Sequence, residues 1–217
     1  MRDYLTAMTD FDYQRTVTGA LDGHLEAVNA CVECCDRHAL PGRIALFWEG
    51  RDASSATYTF TQLQDQAARF ANFLLAQGVK RGDKVAGLLP RNVELLIVAF
   101  AAWRIGAIYQ PLFTAFGPKA IEHRLNSSGA ALVVTDAVNR VKLNEVNDCP
   151  AIVTVASAKG QGLVRGDFSF WAELDNYPAV CEPVMLTGEH PFFLMFTSGT
   201  TAPPNPLLVP LRAFAPS

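Results

Sequence analysis

The chain has 217 residues, half of them hydrophobic and 18% charged, with a formal net charge of −3. That is enough apolar material for one sizeable domain or two small ones. No basic excess marks a nucleic-acid partner, no apolar run reaches the roughly 18 residues of a membrane-spanning helix, and MRDYLTAMTDFDYQ lacks a signal-peptide pattern, so a cytoplasmic chain is expected.

Residues 1–23 are polar, weakly patterned and expected to form an arm. A helix is predicted from Leu25 to Arg37, stopped by Pro41-Gly42. Within and just after it stand Cys31, Cys34, Cys35 and His38, three of the five cysteines among them, and on a helix these share one face. Zinc sites draw their ligands from separated pairs, and four ligands within eight residues point poorly at one tetrahedral centre. The preferred reading is a buried face of reduced thiols, with cysteine packing as a small hydrophobe.

IALFWEG (44–50) reads as a strand and TYTF (57–60) as its hairpin partner. Thr59 and Gln62 then form the Thr-x-x-Gln pattern of a capping box. Leu63, Ala67, Phe70, Phe73 and Leu74 make one helical stripe, closed by Gly78. A buried strand is predicted over 84–89 and ended by Pro90. Asn92 caps the next helix, which runs to Arg104 before Gly106.

The pattern recurs. AIYQPLF (107–113) is a strand. Gly117-Pro118 opens a helix with proline at its first position, and Gly129 ends it. ALVVTD (131–136) is a strand, a short helix runs through Val141, AIVTVA (151–156) is a strand, and FFLMFT (192–197) is the last. Strands apolar on both faces that alternate with helices predict an α/β fold, a mostly parallel sheet flanked by helices, with a short hairpin near residues 44–60. Ligands of such sheets bind on loops leaving the carboxyl ends of the strands.

Thr197, Ser198, Gly199, Thr200 and Thr201 follow the last apolar strand. Hydroxyls donate to phosphate oxygens, and a glycine lets backbone amides approach. The spacing of the common nucleotide triphosphatase loop, with its lysine, is absent. Read by itself, the string is also compatible with a polar strand-to-strand turn.

TSGTT after an apolar strand resembles the phosphate loop of adenylate-forming (AMP-binding) enzymes, whose pattern is TSGTTG-x-P-K. The stretch from DRHALPGRIALFWEG through YTFTQLQDQAARFANFLLAQGVKRGDKVAGLLPRNVELLIVAFAAWRIGAIYQPLFTAFGPKAIEHRLNSSGAALVVTD is similar to the N-terminal subdomain of acyl-CoA synthetases. The acetyl-CoA synthetase-like, short- and medium-chain branch is the nearest in character, and the resemblance covers roughly residues 24–214. It implies a ligase that uses ATP, Mg2+ and CoA on a small-molecule carboxylate, forming an acyl-adenylate and then an acyl-CoA. It implies that Thr197, Ser198, Gly199, Thr200 and Thr201 contact the ATP phosphates. Phe113, Thr114 and Ala115 stand where the family carries a CoA-contacting segment, though its glycines are replaced here, and Arg140 is the implied partner of a CoA phosphate; read by itself, Arg140 is equally a solvated helix arginine at the surface. The family glycine after TSGTT is Ala202 here, the family lysine is Asn205, and Pro204 keeps its place.

The resemblance further implies that 24–217 is a truncated subdomain. The second half of the large domain and the small mobile domain with the catalytic lysine are not among these residues, so no catalytic residue is assigned. Three readings stay open: an enzyme fragment inactive on its own, a non-catalytic binding or regulatory module, and a decayed remnant. Self-association or a complementing C-terminal chain would follow from apolar surface left uncovered.

Overall fold

In the computed structural model, the described residues are 8, 9, 12, 15, 19–50, 52–156, 161–197 and 204–214. The first helix is shorter than its sequence suggests. It spans Ala30–Cys34 (α1), followed by a 3-10 turn over Asp36–His38. Asn29 sets the start. Fully buried, it caps the helix by accepting from the Cys31 amide at 2.8 Å, and its Nδ2 donates to the carbonyls of Trp103 and Val184 at 2.8 and 2.9 Å. Residues before it cannot join the helix, because Val28 is held in an antiparallel bridge to Leu186.

The cysteine cluster spreads in different directions. Cys31 Sγ lies 3.5 Å from Nη2 of the buried Arg104, whose guanidinium also meets both Asp36 carboxylate oxygens at 2.6 and 2.7 Å. Cys35 Sγ faces the Phe60 carbonyl at 3.7 Å, and the His38 ring rests against the Phe60 ring. Burial, joined by the nearby Asp36 charge, pushes the Cys35 thiol up to about 12. These thiols are protonated packing groups at neutral pH.

The hairpin pairs Ile44–Glu49 (β1) with Ser55–Thr59 (β2). Helix α2 (Phe60–Ala76) carries the full capping box: Thr59 Oγ1 accepts from the Gln62 amide at 3.1 Å, and the Thr59 amide donates to Gln62 Oε1 at 2.8 Å. Its stripe Leu63, Ala67, Phe70, Phe73 and Leu74 is buried. The main sheet contains Lys84–Leu88 (β3), Ile108–Pro111 (β4), Ala130–Asp136 (β5), Ala151–Val155 (β6), Phe168–Ser169 (β7), Pro191–Phe196 (β8) and Pro206–Pro210 (β9). Its order is β7-β6-β5-β3-β4-β8-β9, parallel except for β9. Helices Val93–Arg104 (α3), Pro118–Ser128 (α4) and Phe170–Asp175 (α5) complete the layers, and the expected short helix after β5 is a 3-10 turn over Arg140–Glu145.

Side chains alternate across the sheet. Val85, Tyr109, Leu132, Val134 and Val153 pack beneath α2, α3 and α5. Ala86, Leu88, Leu112 and Val133 face Ile121 and Leu125 of α4 and Leu143 and Val146 beyond it. The approach of β4 to β3 is close at one point: a Cβ on Gly87 would meet the Tyr109 hydroxyl and would stand 2.9 Å from its ring carbon Cε2. The Tyr109 hydroxyl is itself buried without a hydrogen-bond partner. At the far edge, β9 leaves Leu207 and Leu208 each 49% exposed, an uncovered apolar strand edge. Among the described residues no helix is long and apolar enough to cross a membrane.

The turn after β5 is tied to the segment before β7 by a buried ion pair. Arg140 donates from Nε and Nη2 to Asp167 at 2.6 and 2.9 Å and from Nη1 to Asn144 Oδ1 at 2.7 Å, while Thr154 Oγ1 also donates to Asp167 at 2.8 Å. Burial works to raise the Asp167 carboxyl, but the bonds from Arg140, Thr154 and the Val164 amide outweigh it and hold the group below its ordinary value.

Two predictions follow from this packing. Gly87→Ala lowers stability by about 1–3 kcal/mol through overpacking. Tyr109→Phe, which removes only the orphaned hydroxyl, is neutral or stabilising by about 1 kcal/mol. Urea unfolding checks both, and a Tyr109→Phe loss larger than about 1 kcal/mol contradicts the geometry. Asp167 has a depressed folded-state pKa, so its contribution is present above the unfolded value and is lost as pH falls through the folded one. Asp167→Asn therefore lowers stability at pH 7 by about 3–5 kcal/mol, and the deficit narrows below about pH 4. An unchanged deficit between pH 7 and about pH 3 would show that the charge of Asp167 is not what the pair depends on.

Candidate functional site

β4, β5 and β8 run parallel to β3 within the sheet, so the loops leaving them emerge at one end. That end is where ligands of open α/β sheets bind. β8 lies beside β4, with Tyr109 opposite Phe193, and β9 returns antiparallel with Pro206 opposite Phe196. The Thr197 amide donates to the Asn205 carbonyl at 3.1 Å and closes the base of the connection. The segment after Thr197 is therefore a strand-to-strand connection whose two ends are fixed at the carboxyl end of the sheet. β9 was not assigned from the sequence, where FFLMFT is the last strand read; at a sheet edge its prolines, Pro206 and Pro210, are tolerated. Of the five expected phosphate contacts, Thr197 is described and exposed. Ser198, Gly199, Thr200, Thr201 and Ala202 lie outside the described residues.

The loop after β4 carries Phe113, Thr114 and Ala115. Phe113 is 70% exposed, and its ring meets Phe116 edge-on at 5.3 Å. The Thr114 carbonyl accepts from Lys142 Nζ, which ties this loop to the 3-10 turn after β5. Arg140 lies on the same turn and is buried, each of its nitrogens engaged by Asp167 or Asn144. It is not a solvated helix arginine.

Helix α4 joins the two loops. His123 Nε2 lies 3.0 Å from the Pro204 carbonyl. Arg124 stacks its guanidinium over the Phe116 ring at 4.1 Å and stands 5.4 Å from the Phe196 ring. Buried Gln110 of β4 donates from Nε2 to the Arg124 carbonyl at 3.2 Å and fixes that turn of the helix. Sequence reasoning read these residues only as part of a helix. The sole signal was two basic-capable side chains within a helix that the topology delivers to the carboxyl end of the sheet.

The donors around this end are the Thr197 hydroxyl, the Arg124 guanidinium and the Lys142 ammonium, a set suited to anionic oxygens. Among the described residues no group of His, Cys, Asp and Glu side chains is arranged to hold a metal ion.

The chain resembles known proteins in sequence and in fold. A family profile described as AMP-binding enzyme matches residues 35–211. The chain is 33% identical over 204 residues to the acetyl-coenzyme A synthetase of Pseudoalteromonas translucida, covering 85% of this chain and 31% of that protein. It is 31% identical over 235 residues to the acetyl-coenzyme A synthetase of Saccharophagus degradans, covering 95% and 36%. A crystal structure of a Brucella canis acyl-CoA synthetase superimposes with a TM-score of 0.93 at 46% identity, over 99% of this chain and 39% of that one. The chain thus spans about a third of the length of the curated relatives it matches. With a profile match over most of its length and a fold that superimposes on that of an acyl-CoA synthetase, the chain belongs to the AMP-binding enzyme family.

Proposed function

We propose that these residues supply the polyphosphate-binding wall of an ATP-dependent carboxylate–CoA ligase. In that reaction a carboxylate attacks the α-phosphate of ATP, giving an acyl-adenylate and pyrophosphate, and the CoA thiol then displaces AMP. The observation that supports the reading is that Thr197, the first residue of TSGTT, is pinned to Asn205 at the carboxyl end of a parallel sheet. On this reading Thr197, Ser198, Gly199, Thr200 and Thr201 hold the β- and γ-phosphates with Mg2+. Fixed hydroxyl and amide donors there stabilise charge that develops on the departing pyrophosphate. A CoA phosphate at Arg140 would have to compete with Asp167 for the guanidinium, so the turn offers CoA its Lys142 side more readily.

We further propose that these 217 residues bind polyphosphate but do not complete the reaction alone. They contain no Thr-Glu pair from which the family's adenine and magnesium motif could be built. Ala202 and Asn205, in place of the family's glycine and lysine, favour a second reading in which the fold serves as a binding module without catalysis. Calorimetry addresses the binding: MgATP gives saturable heat, and Thr200→Val weakens the interaction about tenfold, the loss of one hydrogen bond to a charged group. Pyrophosphate release with acetate, propionate or butyrate stays at the protein-free level. Silence in the calorimeter contradicts the phosphate reading, and turnover clearly above the control contradicts the proposed need for further residues.

A further inference from the structure

We propose that the cavity between the hairpin and helices α2, α3 and α5 binds a small organic cation, an alkylammonium or quaternary ammonium head group. The proposal is independent of the phosphate reading, since none of the lining residues belongs to the β8–β9 connection. The cavity measures about 100 Å3. That is room for about three waters, or for a head group of about five heavy atoms. Its floor is apolar and comes from two helices: Leu63 of α2 with Val93 and Ile97 of α3, all buried. Its walls are the Tyr58 ring from β2 and the Trp171 ring from α5.

Two aromatic walls suit a cation, whose charge is drawn to the negative face of a π-system. Trp171 is held in place to serve as one of them. Its ring stands edge-on to Phe170 at 5.1 Å, and the fully buried Phe170 packs on Phe70 at 4.9 Å. Its Nε1 donates to Glu94 Oε1 at 3.2 Å. The other two tryptophans donate to backbone carbonyls instead, Trp48 to that of Arg91 and Trp103 to that of Phe192. A carboxylate on the indole N–H fixes the ring and polarises it, which strengthens its pull on a cation.

The seven residues that line the cavity carry no formal charge. The Glu94 carboxylate, bonded to one of the walls, therefore sets the sign of the ligand. Among the described residues Glu94 makes no ion pair, whereas Asp22, Glu33, Asp36, Asp167 and Glu189 each do. Burial raises its carboxyl, against the bonds from its own amide and from Trp171. A cation nearby offsets the cost of burying that charge. Gln66, half-buried in the lining, has no side-chain partner among the described residues, and its amide oxygen can accept from an ammonium N–H. In the competing account Glu94 only complements the N-terminus of α3, where it is the second helical residue, and the cavity is a crevice without selectivity. A neutral probe of the same size would then enter as well as a charged one.

The experiment titrates tetramethylammonium chloride into the isotopically labelled full chain and follows the assigned Trp171 indole N–H resonance by NMR. tert-Butanol, neutral and with the same number of heavy atoms, and sodium chloride are the controls. Tetramethylammonium is expected to shift the Trp171 resonance saturably, at an affinity about fivefold above that of tert-butanol, while the Trp103 resonance stays still. Glu94→Gln, which keeps an acceptor for the indole, weakens binding about threefold, and Tyr58→Leu weakens it about fivefold. Thermal unfolding identifies the variants that fold, and the comparison of probes on the unmutated chain needs none of them. An equal response to tert-butanol, a shift that sodium chloride reproduces, or no shift with tetramethylammonium overturns the proposal. Unchanged affinity in folded Glu94→Gln and Tyr58→Leu chains locates the cation elsewhere and overturns it too.

Discussion

Strand β3 is buried on both faces, and a strand in that position has no solvent side on which polar residues could sit. Both faces must be covered, and the chain order determines how. β4 pairs on one side of β3 and β5 on the other, so right-handed crossovers in opposite directions carry α3 and α4 to opposite layers. The two core clusters divide along this line. The same constraint brings α4 back across the sheet beneath β4 and β8 and delivers His123, Arg124 and the loops they touch to one end. The site is a consequence of the sheet's order rather than a separate construction.

The charged groups fall into two kinds. Those that hold the fold are paired and largely dry. Arg104 joins α3 to the turn at Asp36, Arg140 joins the turn after β5 to Asp167, and Glu33 accepts from Arg37 and from the Asp22 and Gly23 amides. The Arg104 and Arg140 pairs close connections between segments distant in sequence, and removing one partner leaves a buried charge, the costly half of such a pair. At the carboxyl end of the sheet the arrangement differs. Among the described residues Arg124 has aromatic faces but no carboxylate partner, Thr197 is exposed, and Lys142 donates to a neutral carbonyl.

Much of this was readable from local patterns. The Thr59–Gln62 capping box, the Asn92 cap, the Pro118 opening of α4 and the left-handed Gly129 that ends it are interactions among near neighbours in sequence, and all stand as expected. The parallel sheet followed from strands without a polar face. What stayed hidden depends on distant partners. Asn29 starts α1 late because its amide is held by Trp103 and Val184, residues far along the chain. β9 exists because β8 offers it an edge, and its two prolines disguise it. Arg140 read as a surface residue because Asp167, its partner, lies beyond an intervening strand. Arg124 carried no motif at all, and its place becomes visible only once Phe116 and Phe196 are brought together.

The central claim is that the connection between β8 and β9 is the polyphosphate seat of an AMP-binding family member. Amide hydrogen exchange by mass spectrometry on the full chain, with and without Mg2+-ATP, tests it most directly. The account predicts slowed exchange in peptides spanning residues 196–205, together with the α4 turn around His123 and Arg124, and no comparable change in the β1–β2 hairpin. Saturating nucleotide that leaves 196–205 unchanged, or that protects the hairpin instead, would contradict it.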